Sequence, residues 1–246
     1  QPTTFQLGNG ETYAPGNYAD QYPYREISMI NAIAVSDNIY AVKTHLFLGE
    51  ETLQNALSQY GIQAEANASL ALGTVNMSIA ELASIYNSFA SEGLYARPQL
   101  IQRIQNEDQV IYQDETQLKQ LPYRDETLML SQMLTATYDQ KNTTSAYPSM
   151  LSYSPEVKTA VKSGTSNWDS LVAGYNPQYT VAIWTGYDDN RELEKEDLSY
   201  AKAIYKATFD RLYENRKAPW YYPSQNLVER RVDPISGKDS ADGSVY

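Results

Sequence analysis

The chain has 246 residues, enough to bury a substantial core, and its apolar share of 42% and charged share of 20% are those of a globular protein. Thirty acidic against nineteen basic side chains leave a formal charge of −11, which argues against nucleic acid and anionic membrane surfaces as partners. There is no cysteine, so a disulfide scaffold, a thiolate metal site and thiol catalysis are excluded together; no apolar run approaches the roughly 20 residues that span a bilayer, and any membrane anchor is expected outside this chain.

From Gln1 to Pro23 the chain is rich in Gly, Asn, Pro and Tyr, with Gly8-Asn9-Gly10 as a turn signal, and an irregular segment is expected. Ile27, Ile30, Ile33 and Ala34 recur at helical spacing, and a second helical run from Ile39 to Leu48 stops at Gly49. Between them stands Ser36-Asp37-Asn38, three poor helix formers. They read either as a helix junction capped by Asp37 or Asn38 or as part of a site. His45, the one histidine, is expected to be packed or on the surface rather than a catalytic base. Glu51 to Tyr60 reads as a helix ended by Gly61. Ser78 and Glu81 have the capping-box spacing and open a helix expected to run to about Ser91.

Arg97 to Gln113 has hairpin character around Asn106-Glu107-Asp108. Glu126 to Tyr138 reads as a helix that buries Leu128, Leu130, Met133 and Leu134. A polar loop from Asp139 to Pro155 delivers the chain to Thr159-Ala160-Val161-Lys162-Ser163-Gly164-Thr165-Ser166-Asn167. This is an odd composition for a buried strand. The lysine and the hydroxyls make an edge able to hold an anionic, peptide-like ligand, and Gly164 lets a ligand backbone approach closely. Leu171 to Tyr175 and Thr180 to Gly186 are strand-like and joined too tightly for a parallel crossover, so they are expected to pair antiparallel.

The acidic run Asp188 to Asp197 reads as a solvated loop. Tyr200 to Arg216 reads as a helix with Ala203, Ile204, Ala207, Phe209 and Leu212 on its apolar side. The remainder, 217–246, reads as a tail or small appendage in which Leu227-Val228 and Val232 form one short strand. The 22 tyrosines read as amphipathic surface and rim residues or as stacking platforms for sugars.

Ser36-Asp37-Asn38 followed by Lys162-Ser163-Gly164-Thr165 supplies, in order, two of the three motifs of penicillin-recognising serine acyl-transferases. With the flanking A-L-G-T-V-N-M-S-I-A-E-L-A-S-I-Y-N and K-S-G-T-S-N-W-D-S-L-V-A-G-Y-N-P-Q-Y-T-V-A-I-W-T-G-Y-D-D, the chain resembles the transpeptidase domain of class A, bifunctional penicillin-binding proteins. The likeness runs from about Phe5 to Arg216. It implies an α+β fold, an antiparallel sheet of five strands between helical layers, shared with the serine β-lactamases. The N-terminal part of that fold is expected to be missing here, with residues 1–216 forming the C-terminal part of the transpeptidase domain and 217–246 a tail. A bare edge is expected on the strand after Tyr179.

The departure from the pattern matters as much. These enzymes acylate a serine in a Ser-x-x-Lys motif that precedes Ser-x-Asn, and nothing before Ser36 has that spacing. The one match, Ser199-Tyr200-Ala201-Lys202, comes after the lysine strand and reads as coincidence. By resemblance, Ser36 and Lys162 are catalytic, as proton relay and cation. The backbone N–H of Thr165 supplies half of an oxyanion hole. Asn38 holds the acyl amide, and Ser163, Gly164, Thr165 and Trp168 line the substrate edge, although packing is an equal reading for Trp168. Asp37 is given no chemistry.

The implied partners are peptidoglycan stem peptides, β-lactam antibiotics and an upstream fragment of the same protein carrying the nucleophile, on the extracytoplasmic face of the bacterial membrane. No cofactor or metal is implied. Two other readings stand beside the enzyme: a β-lactam-sensing module and a wall-binding fragment that uses its tyrosines. A class A β-lactamase is disfavoured, because no deacylating glutamate can be placed.

Overall fold

The computed structural model describes residues 1–8, 10–121 and 124–246. The chain opens with a short antiparallel pair, β1 (Phe5–Gln6) and β2 (Thr12–Tyr13), where an irregular segment was expected; Asn9 of the expected turn lies outside the described residues. Helix α1 (Met29–Val35) starts where the Ser28 hydroxyl accepts from Asn31 N–H, and it ends at Ser36 in the left-handed conformation, φ 57°. Asp37 caps α2 (Asn38–Leu48), its carboxylate accepting from Tyr40 N–H. Helix α3 (Glu50–Ser58) follows directly. The capping box forms at Ser78 and Glu81, opening α4 (Ile79–Ala90). The backbone N–H of Ser78 donates to the Glu81 carboxylate and holds its pKa below the usual value.

Four short strands come next: β3 (Leu94–Tyr95), β4 (Arg103–Gln105), β5 (Val110–Gln113) and β6 (Lys119–Gln120). β4 and β5 form the expected hairpin, fully exposed, and β3 pairs with β6. Helix α5 (Arg124–Leu134) continues into a 3-10 turn over Thr135–Tyr138. Then come β7 (Ala160–Thr165), β8 (Asp169–Tyr175), β9 (Thr180–Gly186), α6 (Tyr200–Leu212) and a last antiparallel pair, β10 (Arg231–Val232) and β11 (Ser244–Val245).

The central sheet has the order β7-β8-β9 and is antiparallel throughout. Three of the five strands that the resemblance implies are therefore in one sheet. Among the described residues β9 pairs with β8 alone, and its outer edge has no strand beside it. Because the pleat alternates, Val161 and Val172 face Met150 and the α6 residues Ala201, Tyr205 and Phe209, while Ala160 and Tyr175 face Ala90 of α4 and Leu134 of α5. The sheet is thus covered by α6 on one side and by α4 and α5 on the other.

Two expectations need correction. Ala203, Ile204 and Ala207 are exposed on α6, and its buried face is Ala201, Tyr205 and Phe209. The Tyr205 ring packs in the core with its hydroxyl buried and without a hydrogen-bond partner among the described residues, so a count of aliphatic residues misplaces this face. In the tail, Val232 is in a strand but Leu227 and Val228 are not, and Val228 is 75% exposed. The tail returns to the body: Ser28 N–H donates to Ile235 O at 2.7 Å and Gln132 Nε2 to Val245 O at 2.9 Å.

Gly174 lies opposite Val161 in β8, where an added Cβ would stand 2.5 Å from Ala160 O and collide with the Tyr205 hydroxyl. Neither neighbour can move without shifting β7 or α6. Gly174→Ala is expected to destabilise the chain by about 2–4 kcal/mol in urea unfolding.

Candidate active site

Strand β7 and the α1–α2 turn, distant in sequence, meet at one hydrogen bond. The Lys162 ammonium donates to Ser36 Oγ at 2.7 Å and to Ser163 O at 2.6 Å. An ammonium has three protons, so one remains for a ligand. Ser36 is presented by its left-handed conformation, which turns the chain out of α1 and back into α2. Burial lowers the pKa of Lys162 to about 8, and the Lys202 charge acts in the same direction. Neither lysine has a carboxylate partner among the described residues.

Along β7, Lys162 shares a face with Ala160 and Gly164, while Ser163 and Thr165 occupy the other. Ser163 is buried and Thr165 exposed. Among the described residues neither hydroxyl is hydrogen-bonded, so both are free to receive a ligand at the strand's open end. Beyond Thr165 the chain turns on Ser166, whose Oγ accepts from Trp168 N–H and Asp169 N–H and donates to the Asp169 carboxylate. Trp184 Nε1 donates to the other oxygen of Asp169 at 2.7 Å. A cleft of about 280 Å³ opens here, lined by Tyr18, Thr165, Ser166, Asn167, Glu192, Leu193 and Leu198. Trp168 stands at the turn, 43% exposed and outside the core.

Asn38 is less free than expected. Its Nδ2 donates to Gly16 O at 2.6 Å and its backbone N–H to Asn17 Oδ1 at 2.9 Å. Asn17 Nδ2 also donates to Asp37 Oδ2 at 2.8 Å, so this asparagine fastens the whole Ser-x-Asn turn. Sequence reading missed it, because an asparagine in a Gly/Asn/Pro-rich stretch is indistinguishable from an ordinary turn residue. Asp37 is occupied as cap and clamp. His45 is buried against Asn67 O, away from the site. Ser199 and Lys202 are not bonded to each other: the Ser199 hydroxyl donates to Glu196 O and Lys202 Nζ to Ser149 O.

A lysine on an edge strand, reaching the serine of a capped turn beside two free hydroxyls, defines the class of penicillin-recognising proteins that the motifs resemble. The chain belongs to the penicillin-binding protein transpeptidase domain family, whose model matches residues 3–210. Penicillin-binding protein 2D of Bacillus subtilis is 34% identical over 250 residues, covering 99% of this chain and 36% of the relative. Penicillin-binding protein 1A of Aquifex aeolicus is 27% identical, covering 91% of this chain and 31% of the relative. The chain therefore spans about a third of the length of these relatives. Penicillin-binding protein 1A of Haemophilus influenzae has the same fold, with TM-score 0.80 at 17% identity over 100% of this chain and 43% of that one. PonA1 of Mycobacterium tuberculosis, solved in complex with penicillin V, aligns with TM-score 0.66 at 17% identity over 95% of this chain and 66% of that one.

Two outcomes test the geometry. Asn17→Ala leaves the buried Asp37 oxygen and Asn38 N–H without a partner and is expected to cost about 1–3 kcal/mol in chemical unfolding. Burial pushes Lys162 down to about 8 in the fold from the ordinary lysine value of 10.5, so holding its charge opposes folding below pH 8, and the penalty fades as pH rises toward 10.5. Lys162→Met should accordingly raise stability by about 1–3 kcal/mol at pH 7 and by little near pH 10, read from urea midpoints at both pH values.

Proposed function

We propose that this chain supplies one side of a serine D,D-transpeptidase site in a bifunctional penicillin-binding protein, working on peptidoglycan stem peptides at the extracytoplasmic face of the membrane. The observation that carries this reading is the Lys162–Ser36 hydrogen bond at 2.7 Å, which joins the two family motifs across 126 positions. The nucleophilic serine and its lysine come from an upstream Ser-x-x-Lys segment of the same protein, docked against this half; without it the chain is inactive. No helix among the described residues is long and apolar enough to cross a membrane.

The chemistry follows from the groups present. The upstream serine gives its Oγ–H proton to the lysine of the same Ser-x-x-Lys segment and attacks the amide carbonyl between two D-alanines, or that of a β-lactam, forming an acyl-enzyme. Thr165 N–H stabilises the oxyanion, and the Ser163 and Thr165 hydroxyls with the Lys162 ammonium receive the substrate carboxylate. As the C–N bond breaks, Ser36 Oγ–H passes its proton to the leaving nitrogen and takes one from Lys162 Nζ. Asn38 holds the acyl amide after exchanging its bond to Gly16 O for one to substrate. Gly164 gives the substrate backbone room; Trp168, which is not among the residues lining the cleft, is given no role. The amino group of a second stem peptide then resolves the acyl-enzyme and forms the crosslink.

The test is fluorescent-penicillin labelling of the intact protein, with the labelled peptide located by mass spectrometry. Label is expected on an upstream Ser-x-x-Lys serine. Ser36→Ala and Lys162→Ala should each slow acylation by about 10²–10⁴-fold, while Ser199→Ala leaves it unchanged. Label at Ser199, or none, would overturn the reading.

A further inference from the structure

The acidic loop after β9 has no part in the reaction above, yet one of its carboxylates lines the cleft of about 280 Å³ at the end of β7. Three segments of the chain meet there: Thr165 to Asn167, the loop residues Glu192, Leu193 and Leu198, and Tyr18 of the N-terminal segment. Each is fastened to the site. Leu193 N–H donates to Asn167 O at 2.7 Å, which ties the loop to the β7–β8 turn, and Leu198 O accepts from Ser170 Oγ of β8 at 3.3 Å. Tyr18 follows Asn17, the residue that clamps Asp37 and Asn38 beside Ser36. The cleft thus begins at the lysine strand and reaches a segment anchored to the serine's turn.

The loop's charges are unevenly committed. Asp189 pairs with Arg191, whose guanidinium lies 3.7 Å from the centre of the Tyr187 ring. Asp197 accepts from the Tyr187 hydroxyl at 2.8 Å and from Glu194 N–H at 2.9 Å. Glu192 is the one acid of the loop among the cleft's lining residues, and neither Arg191 nor Lys195 lines it. No cation pairs with Glu192 among the described residues; its carboxylate accepts from Asn167 Nδ2 at 3.5 Å, a long contact that leaves most of its accepting capacity for a ligand.

The lining specifies what that ligand is. A carboxylate and an aromatic ring each attract an ammonium, and two leucines accept the methylenes behind it. Thr165 adds a free hydroxyl able to hold a carboxylate in the same cleft. We propose that this cleft is the subsite for the incoming peptide and that Glu192 is its specificity-determining residue, binding an ammonium carried on an aliphatic side chain. The assignment to that peptide rests on the transpeptidase reading. There the carboxylate of the leaving group lies on Ser163 and Thr165, and the incoming peptide takes the place it vacates, so a cleft that opens at Thr165 is where that peptide enters. Glu192 selects and holds the cationic peptide before any bond to the acyl-enzyme forms.

The probe is Nα-acetyl-L-lysyl-D-alanine, which carries both a carboxylate and an aliphatic ammonium, compared with its Nε-acetylated form, in which the ammonium is gone. Each is titrated into the intact protein and followed through its own proton resonances. The free-amine peptide is expected to bind about threefold to fivefold more tightly, as an exposed ion pair allows, and the preference should shrink between about 0.05 and about 0.5 M salt. Glu192→Gln should bring the ratio of the two dissociation constants to about one. Glu196→Gln, which removes a charge from the same loop outside the cleft, should leave the ratio as in the wild type. Equal binding of the two peptides by the wild type, or a preference that survives in Glu192→Gln, would overturn the proposal, as would an equal loss in Glu196→Gln. Failure of the wild-type protein to label with penicillin would refute the transpeptidase reading instead, and with it the assignment to an incoming peptide, while a Glu192-dependent preference would still establish the cleft as an ammonium site.

Discussion

The hydrogen bond from Lys162 to Ser36 joins two segments that lie 126 residues apart in the chain. A buried ammonium tolerates little error: its Coulombic and hydrogen-bonding partners must be where it is, because water cannot make up a missing one. Much of the surrounding architecture can be understood as meeting that demand. β8 pins β7 along six residue pairs, α6 closes over one face of the sheet, and α4 and α5 close over the other. The serine is fixed with equal care, by the left-handed residue that ends α1, by the Asp37 cap and by Asn17 reaching in from the N-terminal segment. The lysine keeps a low proton affinity as the consequence.

The legible parts of the sequence were those in which a local rule and the tertiary structure agree. The capping box at Ser78 and Glu81, the Asp37 cap, the stop at Gly49 and the tight Asn176-Pro177-Gln178 connection each act within a few residues. They required no knowledge of the rest of the chain. The pair of motifs was legible for another reason: its spacing is specific enough to identify a family, although nothing local says that Ser36 and Lys162 touch.

What stayed hidden depends on long separations. Asn17 gives no sign in its own neighbourhood that it will fasten Asp37 and Asn38. Ser28 caps α1 as its position suggests, and its backbone N–H and hydroxyl are also bound by Ile235 and Pro234 of the tail, some 206 residues on. Lys202 reads as one more polar position on an amphipathic helix until Ser149 is seen beside it. The buried side of α6 was misplaced because Tyr205 looks polar on paper and is fully enclosed in the fold.

The bond from Asn17 to Asp37 closes a span of 20 residues, whereas that from Lys162 to Ser36 closes one of 126. Loop closure grows only logarithmically with length, yet this ratio still favours the shorter span by about 1.6 kcal/mol in chain entropy. The two bonds therefore have a natural order of assembly. The serine's turn is set by its own neighbourhood first, and the lysine strand arrives at a receptor already shaped, so that the reactive geometry is templated from the N-terminal side rather than negotiated between two mobile partners.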